Sequence, residues 1–287
     1  MKTLILGGTG LLGPYLQDAF AADGPAMVVG RTKGPHRVDV LDKDAMAALI
    51  QAEQPDTVIN AVALTDVDAC ERDPERADAL NRGPAAALAE ILAPRACLVH
   101  LSTDQVYPGS AGPYEEDRTD PINVYGRTKL AGELAASAHQ NSLVLRVNFF
   151  GRSRTAGRVS LSDWLTQGAR EGRAMTLFTD SLFSPLRMET LAGITRNLVA
   201  DGIRGTYNLG SREGASKAWF ARRLAAALNL PLTNATEGVS ADLPGRAPRP
   251  KDMRMDVAKL ETAAGLELPT LAQEIDAHAA EEQGEAR

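Results

Sequence analysis

In the segment YGRTK, Tyr125 and Lys129 stand four residues apart. On a helix that spacing puts both side chains on one face. A free tyrosine has a pKa of about 10, too high for efficient proton exchange near neutrality. An adjacent ammonium favours the phenolate and lowers that value, so the pair has the makings of a proton donor. The same lysine can hold a ribose hydroxyl. A lone YxxxK is usually an ordinary surface pair, so the rest of the chain has to decide. Upstream, LVHLSTDQVYPG sets Ser102 and Thr103 at the carboxyl end of an apolar run. A hydroxyl there can polarise a bound carbonyl, or merely cap the following turn. At the start, MKTLILGGTGLLG carries Gly7, Gly10 and Gly13 at i, i+3 and i+6. Such glycines let the backbone turn sharply, approach a pyrophosphate and pack a helix closely on a strand. Glycine-rich turns are common, and this motif too depends on its context.

The elements that must position these residues follow from the apolar pattern. TLIL reads as a strand and LLGPYLQDAF as a helix with Leu12, Leu16 and Phe20 on one side. AMVVG is a second strand, followed by the basic turn RTKGPH. RVDV leads into DKDAMAALIQAEQ, whose acidic start and apolar face mark a helix. PDTVINAVA is a strand, ADALNRGPAAALAEILAP a single alanine-rich helix, ACLVHLST a strand, YGRTKLAGELAASAH a helix and SLVLRVNFFG a strand. Strands alternating with helices predict an α/β fold, a Rossmann-type doubly wound parallel sheet with right-handed crossovers. The glycine run then lies between the first strand and the first helix, and Thr103 lies at a strand end where open parallel sheets bind ligands. After Gly151 the pattern loosens. SLSDWLTQGAREG is helical, GTYNLG is a strand, SKAWFARRLAAALNL is a helix, LPGRAPRPKD is a loop and the tail EEQGEAR is expected to fray. Residues 1–151 are expected to form the dinucleotide-binding domain, with 191–211 returning to it. Residues 152–190 and 212–287 are expected to form most of a smaller C-terminal substrate-binding lobe.

Composition narrows the class. The 287 residues are 44% hydrophobic and 24% charged, the make-up of an ordinary globular protein. A net charge of -6, with no basic tract, argues against a general nucleic-acid binder. The two cysteines, Cys70 and Cys97, make neither a disulfide framework nor a metal cluster, and the four histidines lack ligand spacing, so no metal is expected. No stretch approaches the ~20 apolar residues of a membrane span, and the start lacks a basic leader, so the chain reads as cytoplasmic.

The ordered set LGGTGLLG, DVLD, VINAVALTDVDACE, ALNRGPAAALAE, LSTDQVYPG, YGRTKLAGE, SPLRMETLA, GTYNLGSREGASKAWFARRLAAAL and RPKDMRMDVAKLE resembles the extended short-chain dehydrogenase/reductase family. Within it the chain is most similar to dTDP-4-dehydrorhamnose reductases and their sugar-nucleotide relatives. The resemblance implies that Thr103, Tyr125 and Lys129 are catalytic. It implies a hydride passed from a nicotinamide to a sugar ketone, with Tyr125 giving the proton. Gly7, Thr9, Gly10, Leu11, Leu12 and Gly13 would hold the dinucleotide, with Asp39 and Val40 bordering the adenine. Ala61, Ala63 and Asn81 would lie along the cofactor, as would Tyr125 and Lys129. Ser102, Thr103, Asp104, Val106 and Asn148 would meet the substrate, and Arg249 its phosphates. At Asn148 the rhamnose enzymes carry a tryptophan facing the sugar, whereas some nucleotide-sugar epimerases carry asparagine. The fold assignment survives this departure; the identity of the sugar does not follow from it.

After the second strand an acidic residue would suit an unmodified ribose, and arginine a 2′-phosphate. Here Arg31 and Lys33 stand without a nearby carboxylate, so NADP(H) is preferred and NAD(H) is the alternative. The expected partner is a nucleotide-sugar substrate, with no nucleic acid or membrane; a homodimer is left open. Two competing readings are a non-catalytic dinucleotide-binding regulatory subunit of the methionine adenosyltransferase beta type, and a reductase of another small ketone.

Overall fold

The computed structural model describes residues 1–32, 34–240 and 245–285. Seven parallel strands form the main sheet: β1 (Thr3–Leu6), β2 (Ala26–Gly30), β3 (His36–Arg37), β4 (Thr57–Asn60), β5 (Cys97–Thr103), β6 (Ser142–Val147) and a later strand, Gly205–Leu209. The first three wind outward as β1, β2, β3. The chain then returns to the other side of β1 with β4, β5 and β6, and Gly205–Leu209 closes that edge against β6. Strand order therefore reverses between β1 and β4, the place where such sheets form a ligand crevice.

Strands β1, β4, β5 and β6 are buried along their whole length, as expected when helices cover both faces. On one face, α1 (Gly13–Ala21) brings Leu16 and Phe20 onto Ile5, Val99 and Leu145. On the other, α2 (Lys43–Glu53) packs Met46 with Leu4 and Val58. The stretch expected as one alanine-rich helix is broken. After α3 (Val67–Arg72), Asp73 caps α4 (Pro74–Asn81), and a new helix, α5 (Gly83–Ile91), starts with Pro84 in its first turn. A proline at that position lacks the N–H that continuous helix would need, so it begins a helix rather than sitting inside one. Helix α6 (Val124–Ser137) lies on β5 and is capped by Asn123, whose side-chain oxygen accepts from Gly126 N at 2.7 Å.

Beyond β6 come β7 (Phe149–Phe150), α7 (Leu161–Arg170), β8 (Met175–Phe178), β9 (Leu182–Phe183), β10 (Leu186–Arg187) and α8 (Met188–Ala200), which returns to the sheet. The sheet strand Gly205–Leu209 is β11. After it follow β12 (Ala215–Ser216), α9 (Lys217–Ala227), β13 (Ala235–Gly238), β14 (Asp252–Met253), α10 (Ala258–Ala264) and α11 (Leu271–Glu285). A second core gathers Phe150, Leu165, Phe183, Phe220, Leu224 and Ile275. Val257, Leu260 and Leu268 pack instead with the sheet. The segment EEQG, expected to fray, continues helix α11.

Candidate active site

The glycine turn fits a dinucleotide. Gly7 has φ +76°, and a Cβ there would come within 2.8 Å of the Ala61 carbonyl oxygen across the β1/β4 crevice. At Gly13 an added Cβ would fall 1.9 Å from the Gly8 oxygen. Helix α1 can start against this turn only because both side chains are missing, which leaves backbone N–H groups at a helix start beside the crevice. Thr9, Gly10 and Leu11 are partly exposed there, while the Leu12 side chain is part of the sheet core. Arg31 is exposed just after β2, and Asp39 is exposed just after β3; Lys33 lies outside the described residues. Val40 packs beside the second-face core, with Ala61 and Ala63 partly exposed after β4. Asn81 is fully buried: it accepts from Leu64 N at 2.7 Å and donates to Thr128 Oγ1 at 2.9 Å. It thus fastens the loop after β4 to α6.

At the carboxyl end of β5 the expected triad converges. Tyr125 packs in a small apolar cluster with Val67, Cys70 and Val124, and its phenol lies near enough to Thr103 to feel that hydroxyl. Burial pushes this phenol well above its ordinary pKa; Thr103 acts in the other direction, and nearby Asp104 adds to the rise. The expected lowering of Tyr125 by Lys129 is not what dominates, because Lys129 is turned to the strand below. Its Nζ donates to the Leu101 carbonyl at 2.6 Å. Burial pulls Lys129 down to about 8, against the opposing charge of Glu133. In this arrangement Tyr125 is a held proton, and Lys129 is a buried ammonium close to its neutral form.

Asp104 follows Thr103 and is almost wholly buried. It accepts from Thr103 Oγ1 at 3.1 Å and from Asn148 Nδ2, and burial pushes its carboxyl up to about 6. The wall that the resemblance assigns to the sugar is therefore polar, built of a carboxyl and an amide.

Two residues expected to meet the substrate face elsewhere. The Ser102 hydroxyl donates to Glu133 Oε1 at 2.5 Å, inside the protein, because strand alternation turns its side chain opposite to that of Thr103. Val106 is in the core with Tyr107, Tyr114 and Met255 and anchors the Asp104–Val106 turn. Arg249 is held in a bidentate pair by Asp68, at 3.2 and 2.9 Å, and this guanidinium keeps the Asp68 carboxyl down at about 2.

The sequence reading did not single out the polar chain beneath the site. Glu133 also accepts from Arg146 at 2.7 Å; Arg146 reaches the Tyr107 hydroxyl at 2.9 Å, and that hydroxyl donates to Asn208. The charged residues in the middle of SLVLRV and LAGEL were its only signal. A cavity of about 570 Å3 lies away from the triad, where Arg187 is paired to Glu189 and Glu281.

Strand order, glycine turn and buried triad together define an extended short-chain dehydrogenase/reductase. The model of the RmlD substrate binding domain family matches residues 1–283. The chain belongs to that family. It is 32% identical to a probable low-salt glycan biosynthesis reductase of Haloferax volcanii, over 96% of this chain and 97% of the relative. Identity is 31% to a dTDP-4-dehydrorhamnose reductase of Sinorhizobium fredii, over 94% and 93%. The fold matches a dTDP-4-dehydrorhamnose reductase of Bacillus anthracis solved with NADP, with a TM-score of 0.89 at 22% identity over 98% of this chain and all of that one.

Proposed function

We propose that the chain is an NAD(P)H-dependent reductase of a nucleotide-linked 4-keto-6-deoxy sugar, working in the cytoplasm and preferring NADP(H). The observation that carries this reading is the meeting of the Thr103 hydroxyl and the buried Tyr125 phenol at the end of β5, with Lys129 fixed on the strand beside them. The backbone at Gly7, Gly10 and Gly13 would hold the pyrophosphate, Arg31 a 2′-phosphate, and Lys129 the nicotinamide ribose. When bound, the reduced nicotinamide supplies a hydride to the carbonyl carbon.

The chain's own residues do the rest. Tyr125 Oη and Thr103 Oγ1, the latter turning its proton from Asp104 to the ligand, both donate toward one carbonyl oxygen, which polarises it and fixes its face. Burial keeps the Tyr125 proton in place at neutral pH, and transfer to the oxygen becomes favourable as negative charge builds there. Lys129 then stabilises the phenolate left behind. The test is NADPH oxidation with a panel of 4-keto-6-deoxy sugar nucleotides. Consumption with the wild type and its loss in Tyr125→Phe supports the reading. Tight NADPH binding without turnover of any panel member would refute it.

A further inference from the structure

Two buried polar side chains beneath the crevice, Asn60 and His100, take no part in the chemistry proposed above. Asn60 ends β4, and His100 lies opposite it in register on β5. Asn60 is 1% exposed and His100 is fully buried. The Asn60 amide nitrogen lies 3.2 Å from His100 Nδ1, and the amide oxygen accepts from Val62 N at 3.2 Å. A backbone N–H only donates, so Asn60 Oδ1 must face Val62 and Nδ2 must face the ring. His100 Nδ1 is therefore an acceptor, and the ring is the neutral tautomer with its proton on Nε2. Burial keeps it neutral, and the ammonium of Lys129 acts in the same direction. Nε2 faces α6 at Gly132, where an added Cβ would stand 3.2 Å from it. It has no hydrogen-bond partner among the described residues.

A buried N–H without an acceptor is costly, and an apolar side chain at this position would avoid the cost. What the imidazole offers instead is the lone pair of Nδ1, the acceptor that the Asn60 amide needs. The chain of bonds that starts there ends at Val62, in the wall of the β1/β4 crevice. Gly7 stands so close to that wall that a Cβ on it would lie 2.8 Å from the Ala61 oxygen and 3.0 Å from Val62 N. Two residues further on, Leu64 N is held by Asn81, which is fastened in turn to Thr128 of α6. The loop after β4 is thus tied at both ends by a buried asparagine, one reaching β5 and the other α6. We propose, resting on the dinucleotide-binding part of the reductase reading, that Asn60 and His100 are positioning residues for the crevice wall at Ala61, Val62 and Ala63. Affinity for the dinucleotide then depends on the imidazole acceptor, while the chemical step does not. A crevice that a single Cβ would fill has little slack, so a retreat of Val62 loosens its grip on the cofactor. The wall lies apart from Arg31, so the loss is the same for NADPH and NADH.

The test compares His100→Leu, which has a similar volume and no acceptor, with His100→Asn, whose side-chain oxygen can take the place of Nδ1. In fluorescence titration of the full chain, His100→Leu should bind NADPH and NADH roughly 5–10-fold more weakly, the scale of one neutral hydrogen bond. His100→Asn should recover most of that affinity. At saturating NADPH, kcat and the KM for a sugar nucleotide should match the wild type, which separates a displaced wall from a damaged fold. Amide hydrogen exchange should quicken at Val62 in His100→Leu and stay unchanged at Ile59 within β4. In the wild type, the nitrogen NMR shifts of His100 should be those of a neutral ring protonated at Nε2. The opposite tautomer or a charged ring overturns the assignment. Unchanged cofactor affinity in His100→Leu, or an equal loss in His100→Asn, overturns it too. A wild type whose NADPH affinity follows His100 in this way yet reduces no sugar nucleotide overturns the reductase reading and leaves this one in place. Sugar-nucleotide reduction with a cofactor affinity indifferent to His100 does the reverse, and a wild type that binds neither cofactor overturns both.

Discussion

Lys129 and Leu101 are joined across the helix–strand boundary, the ammonium donating to the carbonyl at 2.6 Å. One turn further along α6, Glu133 takes the hydroxyl of Ser102. Consecutive residues of β5 thus hold consecutive turns of the helix, and the face bearing Tyr125 is fixed relative to Thr103.

Tyr125→Phe keeps the ring and its packing and removes the transferable proton. Turnover with a sugar nucleotide should fall by roughly 10²–10⁴-fold while NADPH affinity changes little. A steady-state assay paired with fluorescence titration of NADPH checks both halves; a small effect on turnover would show that another group supplies the proton.

Lys129→Met should lose activity and cofactor affinity yet gain stability. Burial lowers the folded-state pKa of Lys129 to about 8, below its unfolded value. The penalty of the buried charge is then fully present below pH 8 and disappears as pH rises toward the unfolded value. The gain should reach up to about 3 kcal/mol at pH 7, reduced by the lost bond to Leu101, and shrink at pH 10. Thermal melts at the two pH values decide it. A variant less stable at pH 7 than at pH 10, relative to wild type, would contradict the burial argument.

Arg31→Ala should weaken NADPH by about tenfold or more and NADH hardly at all, because only the first loses a phosphate contact. Equal small losses for the two cofactors would leave Arg31 as a solvent-exposed turn residue.

Glu133→Gln strands the Arg146 guanidinium, whose charge that carboxylate stabilises. The expected loss is about 3–5 kcal/mol. The double variant Glu133→Gln with Arg146→Met should recover part of it, since no uncompensated charge remains. Urea unfolding of the three proteins checks the order.

Much of the sheet was readable because its strands are continuous apolar runs between helical periods, and the glycine turn and YGRTK fell where that alternation required them. What escaped the reading was set by contacts distant in sequence. Two-residue strands such as β9 carry no period of their own and exist only through β12 and β14. The break at Pro84 competes with a strong alanine bias, and α11 is held by Leu271 and Ile275 in the second core despite its polar tail. Ser102 and Thr103 are adjacent hydroxyls of the same class, and only the strand's pleat decides which one faces the cleft. Arg249 looked free in RPKD because its anion, Asp68, lies on a helix far earlier in the chain.

The late arrival of β11 has a consequence during synthesis. Strand β6 borders β11 in the finished sheet, yet Gly205–Leu209 leaves the ribosome long after Ser142–Val147. Until then the nascent chain presents SLVLRV as an open edge, an invitation to pair with another molecule. Arg146 is the only charge in that run and the only one that interrupts it. The guanidinium that later sits beside Glu133 also interrupts an apolar run before its neighbouring strand is made, and Arg146→Leu combined with Glu133→Gln, which leaves no buried charge unpaired, should still lower the yield of correctly made protein.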